Sequence, residues 1–119
     1  MLLSIITPTF NRINFLKKNL KKIDFIYSQF KNLEWIIIVE NNDKKTLNFI
    51  KKIKRKYLVV IIGTHKSAEL AFERGVEKSK GKYINFHGDD DFFNLKYINL
   101  INKKLFSSNH KWIIFEGGY

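Results

Sequence analysis

Five short apolar segments recur along the chain, separated by polar and charged stretches. Four of them are rich in β-branched residues, and most are continuous rather than alternating. Continuous apolar runs are typical of strands buried on both faces, as in a parallel sheet. The pattern therefore predicts five strands: LLSIIT (2–7), WIIIV (35–39), LVVII (58–62), YINF (83–86) and WIIF (112–115).

The segments between these strands place apolar or small residues at steps of three and four, which is the spacing of one helix face. Turn signals such as Pro8, Gly81 and Gly88 fall between the elements. Alternating strands and helices predict right-handed βαβ units in one α/β domain over residues 1–119, with an open, mostly parallel sheet. The predicted helices rest on four sets of positions: Ile13, Leu16, Leu20 and Ile23; Leu47, Ile50, Ile53 and Tyr57; Ala68, Ala71, Phe72, Gly75, Val76 and Ser79; and Phe93, Tyr97, Leu100, Ile101 and Leu105.

Three polar clusters follow the predicted strands 1, 2 and 4. They are TPTFNR (7–12), ENND (40–43) and GDDD (88–91). In open α/β sheets, ligands bind beyond the carboxyl ends of the strands. We therefore expect the three clusters to meet at one edge of the sheet, although they are far apart in sequence.

The third cluster holds three consecutive aspartates. In a chain still extended after its strand, Asp89 and Asp91 point the same way and Asp90 points elsewhere. Two converging carboxylates repel each other unless a cation lies between them, and hard oxygen ligands suit Mg²⁺ or Mn²⁺. The alternative is a turn in which Asp91 caps the helix that begins near Phe92. Because two other polar loops are expected at the same edge, we favour the metal site.

The first two clusters each allow two interpretations. The 40–43 segment is either a strand-to-helix corner capped by Asp43 or Thr46, or a source of hydrogen bonds from Glu40 or Asn41 to a base edge or a ribose. The 7–12 segment is a corner begun by proline. Its Phe10 either offers a flat face for stacking or belongs to the core.

Charge is the most unusual feature of the composition. The net charge is +11, from nineteen lysines and three arginines against eleven acids. This indicates either a polyanionic partner or, as we favour, a solvated lysine-rich surface. The absence of cysteine excludes disulfides and thiolate metal sites, and is compatible with a cytoplasmic location. Neither a GxxxxGK[ST] nor a GxGxxG pattern is present, and the three histidines have no helical zinc spacing.

Three passages in order resemble the N-terminal half of glycosyltransferase family 2, the inverting GT-A type. LLSIITPTFNR resembles the family's first strand and P-T-Y-N-R loop, EWIIIVENND its second strand and acidic end, and AELAFERGVEKSKGKYINFHGDDD its helix, strand and D-x-D passage. The resemblance implies a GT-A, Rossmann-like sheet with flanking helices, truncated after about five strands. It also implies a nucleotide-diphospho-sugar donor bound across the strand ends.

The resemblance implies roles for individual residues. Asp89 and Asp91 would hold Mg²⁺ or Mn²⁺, which would stabilise the charge on a diphosphate leaving group. Asn41 stands where many members have Asp. Lys66-Ser67 and Phe72-Glu73 replace a glycine pair and an Arg-Asn pair, so that Lys66 or Arg74 would supply the phosphate contact. The implied donor-binding residues are Pro8, Thr9, Phe10, Arg12, Glu40, Asn41, Lys66, Asp89 and Asp90.

The implied function is sugar transfer in polysaccharide or glycoconjugate synthesis, to a glycan or lipid-linked acceptor. We expect a cytoplasmic location with peripheral association at the inner face of the membrane, and no nucleic-acid partner. Two alternatives stay open. One is a non-catalytic relic or partner subunit, because in the family the acceptor site and general base follow the segment that ends here at Tyr119. The other is a basic module that binds RNA or an anionic membrane.

Overall fold

The computed structural model describes residues 3–86 and 114–116 of the 119-residue chain. The predicted helix over 93–105, the residues of GDDD and the start of the fifth predicted strand lie outside these residues. The described elements are β1 (Leu3–Thr9), α1 (Ile13–Gln29), β2 (Leu33–Glu40), α2 (Lys44–Lys51), β3 (Leu58–Gly63), α3 (Ala68–Lys78), β4 (Tyr83–Phe86) and β5 (Ile114–Glu116).

These strands form one sheet with the order β3-β2-β1-β4-β5, and each described pairing is parallel. The chain adds β2 and β3 on one side of β1 and then crosses to place β4 on the other side. The strand order therefore reverses between β1 and β4, and such a reversal opens a crevice at the carboxyl ends of the strands.

The core lies on both faces of the sheet, which explains the continuous apolar runs. Along β2, Trp35 and Ile37 face the layer formed by α1 and α2, whereas Ile36 and Ile38 face α3. A strand between two helical layers has no solvent-exposed polar face, because side chains on both of its faces enter the core.

Helix α3 lies close to the sheet because Gly75 has no side chain. A Cβ atom at this position would lie 2.5 Å from Ile6 Cγ2 and 2.8 Å from Ile38 Cδ1. The small-residue stripe in α3 therefore serves close packing on β1 and β2, as the sequence predicts.

The second predicted helix is shorter than its apolar spacing suggests. Helix α2 ends at Lys51, so the inclusion of Ile53 and Tyr57 was wrong. Tyr57 is instead held by tertiary contacts, since its hydroxyl donates to Asp24 Oδ1 at 2.6 Å and its carbonyl accepts from the Trp35 N–H at 2.8 Å. The basic run KKIKRK (51–56) also disfavours continued helix, because its like charges repel.

The opposite end of the sheet is joined by a buried carboxylate. Glu34 Oε2 accepts hydrogen bonds from Ser4 Oγ at 2.5 Å and from the Lys80 N–H at 2.6 Å. The Gly81 N–H donates to Ser4 Oγ at 2.8 Å, in a position where a Cβ would lie 2.6 Å from the Ser4 nitrogen. These bonds hold the start of β4 against β1.

Among the described residues, no helix combines the length and apolarity needed to cross a membrane.

Candidate functional site

A cleft of about 500 Å³ lies at the carboxyl ends of β1, β2 and β3, next to the N-terminus of α3. Its walls combine apolar side chains from the α3 face of the sheet with polar and charged side chains from the loops. The lining residues are Pro8, Thr9, Phe10, Arg12, Ile38, Glu40, Asn42, Thr64, His65, Lys66, Ser67, Ala68 and Ala71.

The structure brings together most of the described residues that the sequence singles out for donor binding. Six of them line the cleft: Pro8, Thr9, Phe10, Arg12, Glu40 and Lys66. The predicted convergence of the first two loops is therefore observed, and a third loop, after β3, joins them.

Asn41 does not line the cleft, although the sequence singles it out. Its side-chain amide donates to Thr64 Oγ1 at 3.4 Å, and its neighbour Asn42 faces the cleft instead. The reason is the turn that follows β2, since the Asn41 N–H donates to the Gly63 carbonyl and extends the β2–β3 pairing by one residue. Asp89, Asp90 and Asp91 lie outside the described residues, so the D-x-D site stays a prediction.

The loop after β1 presents its aromatic side chain to solvent. Phe10 is 48% exposed, so it is not a core residue. The next residue, Asn11, has a φ of 54°, a left-handed conformation that asparagine tolerates better than most residues. At the end of β1, Thr7 Oγ1 accepts from Trp35 Nε1 at 2.9 Å. The strand end is thus fixed while the ring of Phe10 stays accessible.

A buried carboxylate connects the loops after β1 and β2. Asp43 accepts from the Asn11 N–H at 2.8 Å and from the Thr46 hydroxyl at 2.6 Å. It is also the N-cap of α2, accepting from the Thr46 N–H at 3.3 Å. Of the two caps that the sequence allows, the structure selects Asp43, with Thr46 as its partner.

Glu40 and His65 form a second connection, between the ends of β2 and β3. The His65 N–H donates to the Glu40 carboxylate, at 3.2 Å from Oε1 and 3.3 Å from Oε2. The imidazole is 1% exposed, and its Nε2 lies 3.2 Å from the Val39 carbonyl. Because a carbonyl only accepts, Nε2 carries the proton. Nδ1 has no hydrogen-bond partner within the described part of the chain.

Sequence reasoning treated His65 as one of three scattered histidines and missed its place in this cleft. The available signal was its position two residues after β3, next to Lys66. The helical spacing typical of zinc sites applies only to pairs of histidines on one helix. It gives no information about a single histidine at the end of a strand.

Positive charge gathers at the α3 side of the cleft. Lys66 has a φ of 70° and an exposed side chain, and Ser67 caps α3 by accepting from the Leu70 N–H at 3.1 Å. A helix N-terminus carries a partial positive charge and favours anions. Arg12 lies across the cleft, on the loop after β1, and adds a second cation. The cleft therefore suits an anionic group between the two loops. Arg74, the other candidate for a phosphate contact, does not line the cleft, and its guanidinium lies near Gly63 instead.

Carboxylates and histidines do not gather into a metal-binding group of three or more within residues 3–86 and 114–116. The cleft itself combines the exposed aromatic ring of Phe10, the carboxylate of Glu40 and the two cations of Arg12 and Lys66. It can accept a ligand with a flat ring system, hydroxyl groups and phosphates.

Comparison with known proteins finds a family model and a curated relative that match this chain. The model of "Glycosyl transferase family 2" matches residues 4–114. An "Uncharacterized glycosyltransferase" of Rickettsia bellii (strain RML369-C) is 30% identical over 127 aligned positions, which cover 98% of this chain and 18% of the relative. The chain thus spans less than a fifth of the curated relative it resembles.

Solved structures show the same architecture. The 1–349 fragment of S. aureus TarS superposes with a TM-score of 0.76 at 18% identity, covering 90% of this chain and 33% of TarS 1–349. The complex of that fragment with UDP-GlcNAc gives a TM-score of 0.74 at 18% identity, covering 90% and 32% of the two chains. This likeness confirms the predicted α/β, GT-A-like fold. Since the family model extends over nearly the whole sequence, the chain belongs to glycosyltransferase family 2.

Proposed function

We propose that the cleft binds a nucleotide-diphospho-sugar donor for sugar transfer in polysaccharide or glycoconjugate synthesis. The supporting observation is the convergence of Phe10, Arg12, Glu40 and Lys66 from three remote loops around one cleft. The TarS complex with UDP-GlcNAc supports this class of ligand, because it shows that a protein of this fold binds such a donor.

The nucleoside and the diphosphate of a nucleotide sugar each have a counterpart in the cleft. The half-exposed ring of Phe10 can stack on the nucleobase. Glu40 already accepts from the His65 N–H but retains lone pairs for a ribose hydroxyl or a base N–H. Lys66, Arg12 and the N-terminus of α3 provide the positive charge for the diphosphate.

We further propose that Asp89 and Asp91 hold Mg²⁺ or Mn²⁺, with Asp90 close to the sugar or ribose. Carboxylate oxygens are suitable ligands for either cation, and the bound cation would stabilise negative charge on the diphosphate leaving group. The parallel pairing of β4 with β1 sets Phe86 opposite Ile6, three residues before the end of β1, so β4 runs toward the edge where the cleft lies. GDDD begins two residues after Phe86 in the sequence.

The proposal for the whole protein includes an inverting transfer to a glycan or lipid-linked acceptor, in the cytoplasm at the inner face of the membrane. Such a transfer needs a general base that deprotonates the acceptor hydroxyl. We assign the residues of this chain to donor binding, and no residue of this chain to that base.

Calorimetric titration of the 119-residue chain tests donor binding. UDP, UDP-GlcNAc, GDP and CDP are titrated with and without Mn²⁺. We expect at least one nucleotide to bind more tightly with Mn²⁺, and Asp91→Asn to remove this dependence. Replacing Phe10 with Ala should weaken binding about tenfold, the typical effect of losing one stacked ring.

Lys82→Ala is the matched control, because Lys82 is exposed and precedes β4 at the opposite end of the sheet. This variant should bind like the wild type. Failure of every nucleotide to bind, or equal losses in Lys82→Ala and Phe10→Ala, would overturn the proposal.

A further inference from the structure

The two helical layers of the fold differ strongly in charge. Residues 12–56, which include α1 and α2, hold thirteen of the chain's twenty-two Lys and Arg residues but only four of its eleven acids. By contrast, α3 holds three glutamates, one arginine and one lysine. Helices α1 and α2 themselves carry seven lysines and one acid, so the helical layer on their side of the sheet is strongly basic whereas α3 is not.

The four acids within 12–56 hardly offset this charge at the surface. Glu34 and Asp43 are buried, and Glu40 faces the cleft. Asp24 is paired with Arg55 at 2.8 Å. The exposed side of the α1–α2 layer thus presents mainly lysines, including Lys18 and Lys21 on α1 and Lys45 and Lys51 on α2. We call this surface the basic face.

The basic face also carries an exposed aromatic residue. Phe25 is 59% exposed, the largest exposure among the large apolar side chains described. It lies four residues after Lys21 and seven after Lys18, so the three residues share one side of α1. Lys17 of the same helix lies 5.5 Å above the ring of Phe49 in α2, which shows that the two helices form a continuous layer.

We propose that the basic face docks on an anionic lipid bilayer, with the ring of Phe25 entering the interfacial region. Lysines near an anionic membrane surface each contribute binding energy, and an apolar ring adds to it when it leaves water. An RNA partner is less suited, because eleven of the thirteen basic residues are Lys rather than the planar Arg that reads phosphates and bases.

Docking in this orientation leaves the cleft open. Ile38 and Ala71, which line the cleft, belong to the core on the α3 face of the sheet. The basic face is on the other side. Membrane binding and donor binding therefore use separate surfaces, and either can fail without the other.

Vesicle flotation of the full chain tests this proposal. Phosphatidylcholine vesicles are compared with vesicles that also contain phosphatidylglycerol. We expect binding only to the anionic vesicles, with affinity that falls as salt rises. The double variant Lys18→Gln/Lys21→Gln should bind about 25-fold more weakly, given about fivefold for each lysine. Phe25→Ser, which leaves the charge unchanged, should bind about fivefold more weakly.

Lys78→Gln is the control for position, since it removes one positive charge from the exposed surface of α3 and is compared with the fivefold loss expected for each lysine of the basic face. It should change the affinity by less than about twofold. Thermal melting confirms that each variant is folded, and a polyuridine oligonucleotide is titrated in parallel. The proposal is overturned by absent binding to anionic vesicles, by an equal loss in Lys78→Gln, by an unchanged Phe25→Ser, or by tighter binding to the oligonucleotide at the same salt.

Discussion

The backbone N–H of Asn11 donates a 2.8 Å hydrogen bond to the buried carboxylate of Asp43, thirty-two residues away. This bond joins the loops after β1 and β2 below the candidate donor site. The same carboxylate caps α2 through Thr46. One side chain therefore fixes both the left-handed turn at Asn11 and the start of a helix.

Replacing Asp43 with Ala should lower the free energy of unfolding by about 3 kcal/mol, because a helix cap is lost and buried donors lose their acceptor. Urea unfolding followed by circular dichroism measures this loss. Asp43→Asn is the matched control. It retains the shape and one acceptor oxygen, so its loss should be about 1 kcal/mol. Equal losses in the two variants would contradict the importance we give to the carboxylate.

Lys66 combines a strained backbone with a charge at the cleft. Its φ of 70° is unfavourable for a residue with a Cβ, by about 1–2 kcal/mol. Lys66→Gly removes the strain, whereas Lys66→Ala keeps it, and both remove the charge. We expect the glycine variant to be about 1 kcal/mol more stable than the alanine variant in urea unfolding. Both should bind a nucleoside diphosphate about tenfold more weakly by calorimetry.

The reverse order of stabilities would show that the backbone at this position is not strained. Diphosphate affinities equal to that of the wild type would remove Lys66 from the donor site while leaving the fold unaffected. The two measurements therefore separate the structural consequence of this residue from its functional one.

Gly75→Ala should destabilise the protein although alanine favours helix. The new Cβ would lie 2.5 Å from Ile6 Cγ2 and 2.8 Å from Ile38 Cδ1, so α3 would have to move away from the sheet. Overpacking of this kind costs about 1–3 kcal/mol, which exceeds the gain of about 1 kcal/mol in helix propensity. Glu73→Ala, on the exposed side of α3, should be nearly neutral. A melting temperature for Gly75→Ala equal to or above that of the wild type would contradict the close packing.

Asp24 should make stability fall in acid. Its pKa lies below the ordinary 3.8, mainly because Arg55 donates to it, with a smaller effect from the Tyr57 hydroxyl, while partial burial acts in the opposite direction. A carboxylate with a lowered pKa stabilises the fold above the ordinary pKa, and this stabilisation is lost as pH falls through the folded value. Urea midpoints of the wild type should thus drop more steeply below about pH 4 than those of Asp24→Asn. If the urea midpoints of the wild type and of Asp24→Asn fell equally steeply below about pH 4, this role of Asp24 would be contradicted.

Tyr57 should make the folding stability fall at alkaline pH. Burial raises the pKa of its hydroxyl well above the ordinary 10.0, and the hydrogen bond to Asp24 raises it further. The unfolded chain ionises near the ordinary value while the folded chain stays neutral, so stability is lost as pH rises from about 10 towards the folded pKa. Tyr57→Phe should flatten this loss in urea midpoints measured against pH. A variant that keeps the wild-type slope would show that another group is responsible.

Local pattern was enough to locate the elements of this protein but not all of their ends. Strands β1 to β4 lie where the apolar runs placed them, to within two residues at each end, since a strand between two helical layers must be apolar on both faces. Strand β1 continues through Pro8 and Thr9, which the sequence assigned to the corner, because Pro8 pairs with Ile38 of β2. The end of α2 was missed because Tyr57 satisfies a helical spacing that its contacts with Asp24 and Trp35 override. Periodicity reports what a segment could bury, whereas distant partners decide what it does bury.

By itself, the sequence determined the family, the α/β architecture and the edge of the sheet where the loops after β1 and β2 gather. These features depend on the order of the strands and helices and on the spacing of apolar residues, and both can be read from the sequence directly. Only the tertiary structure decided that Asn42 rather than Asn41 faces the cleft, that His65 supports Glu40, and that lysine occupies a left-handed position at residue 66. Each depends on backbone dihedral angles and on hydrogen bonds between residues remote in sequence, and local composition does not encode either.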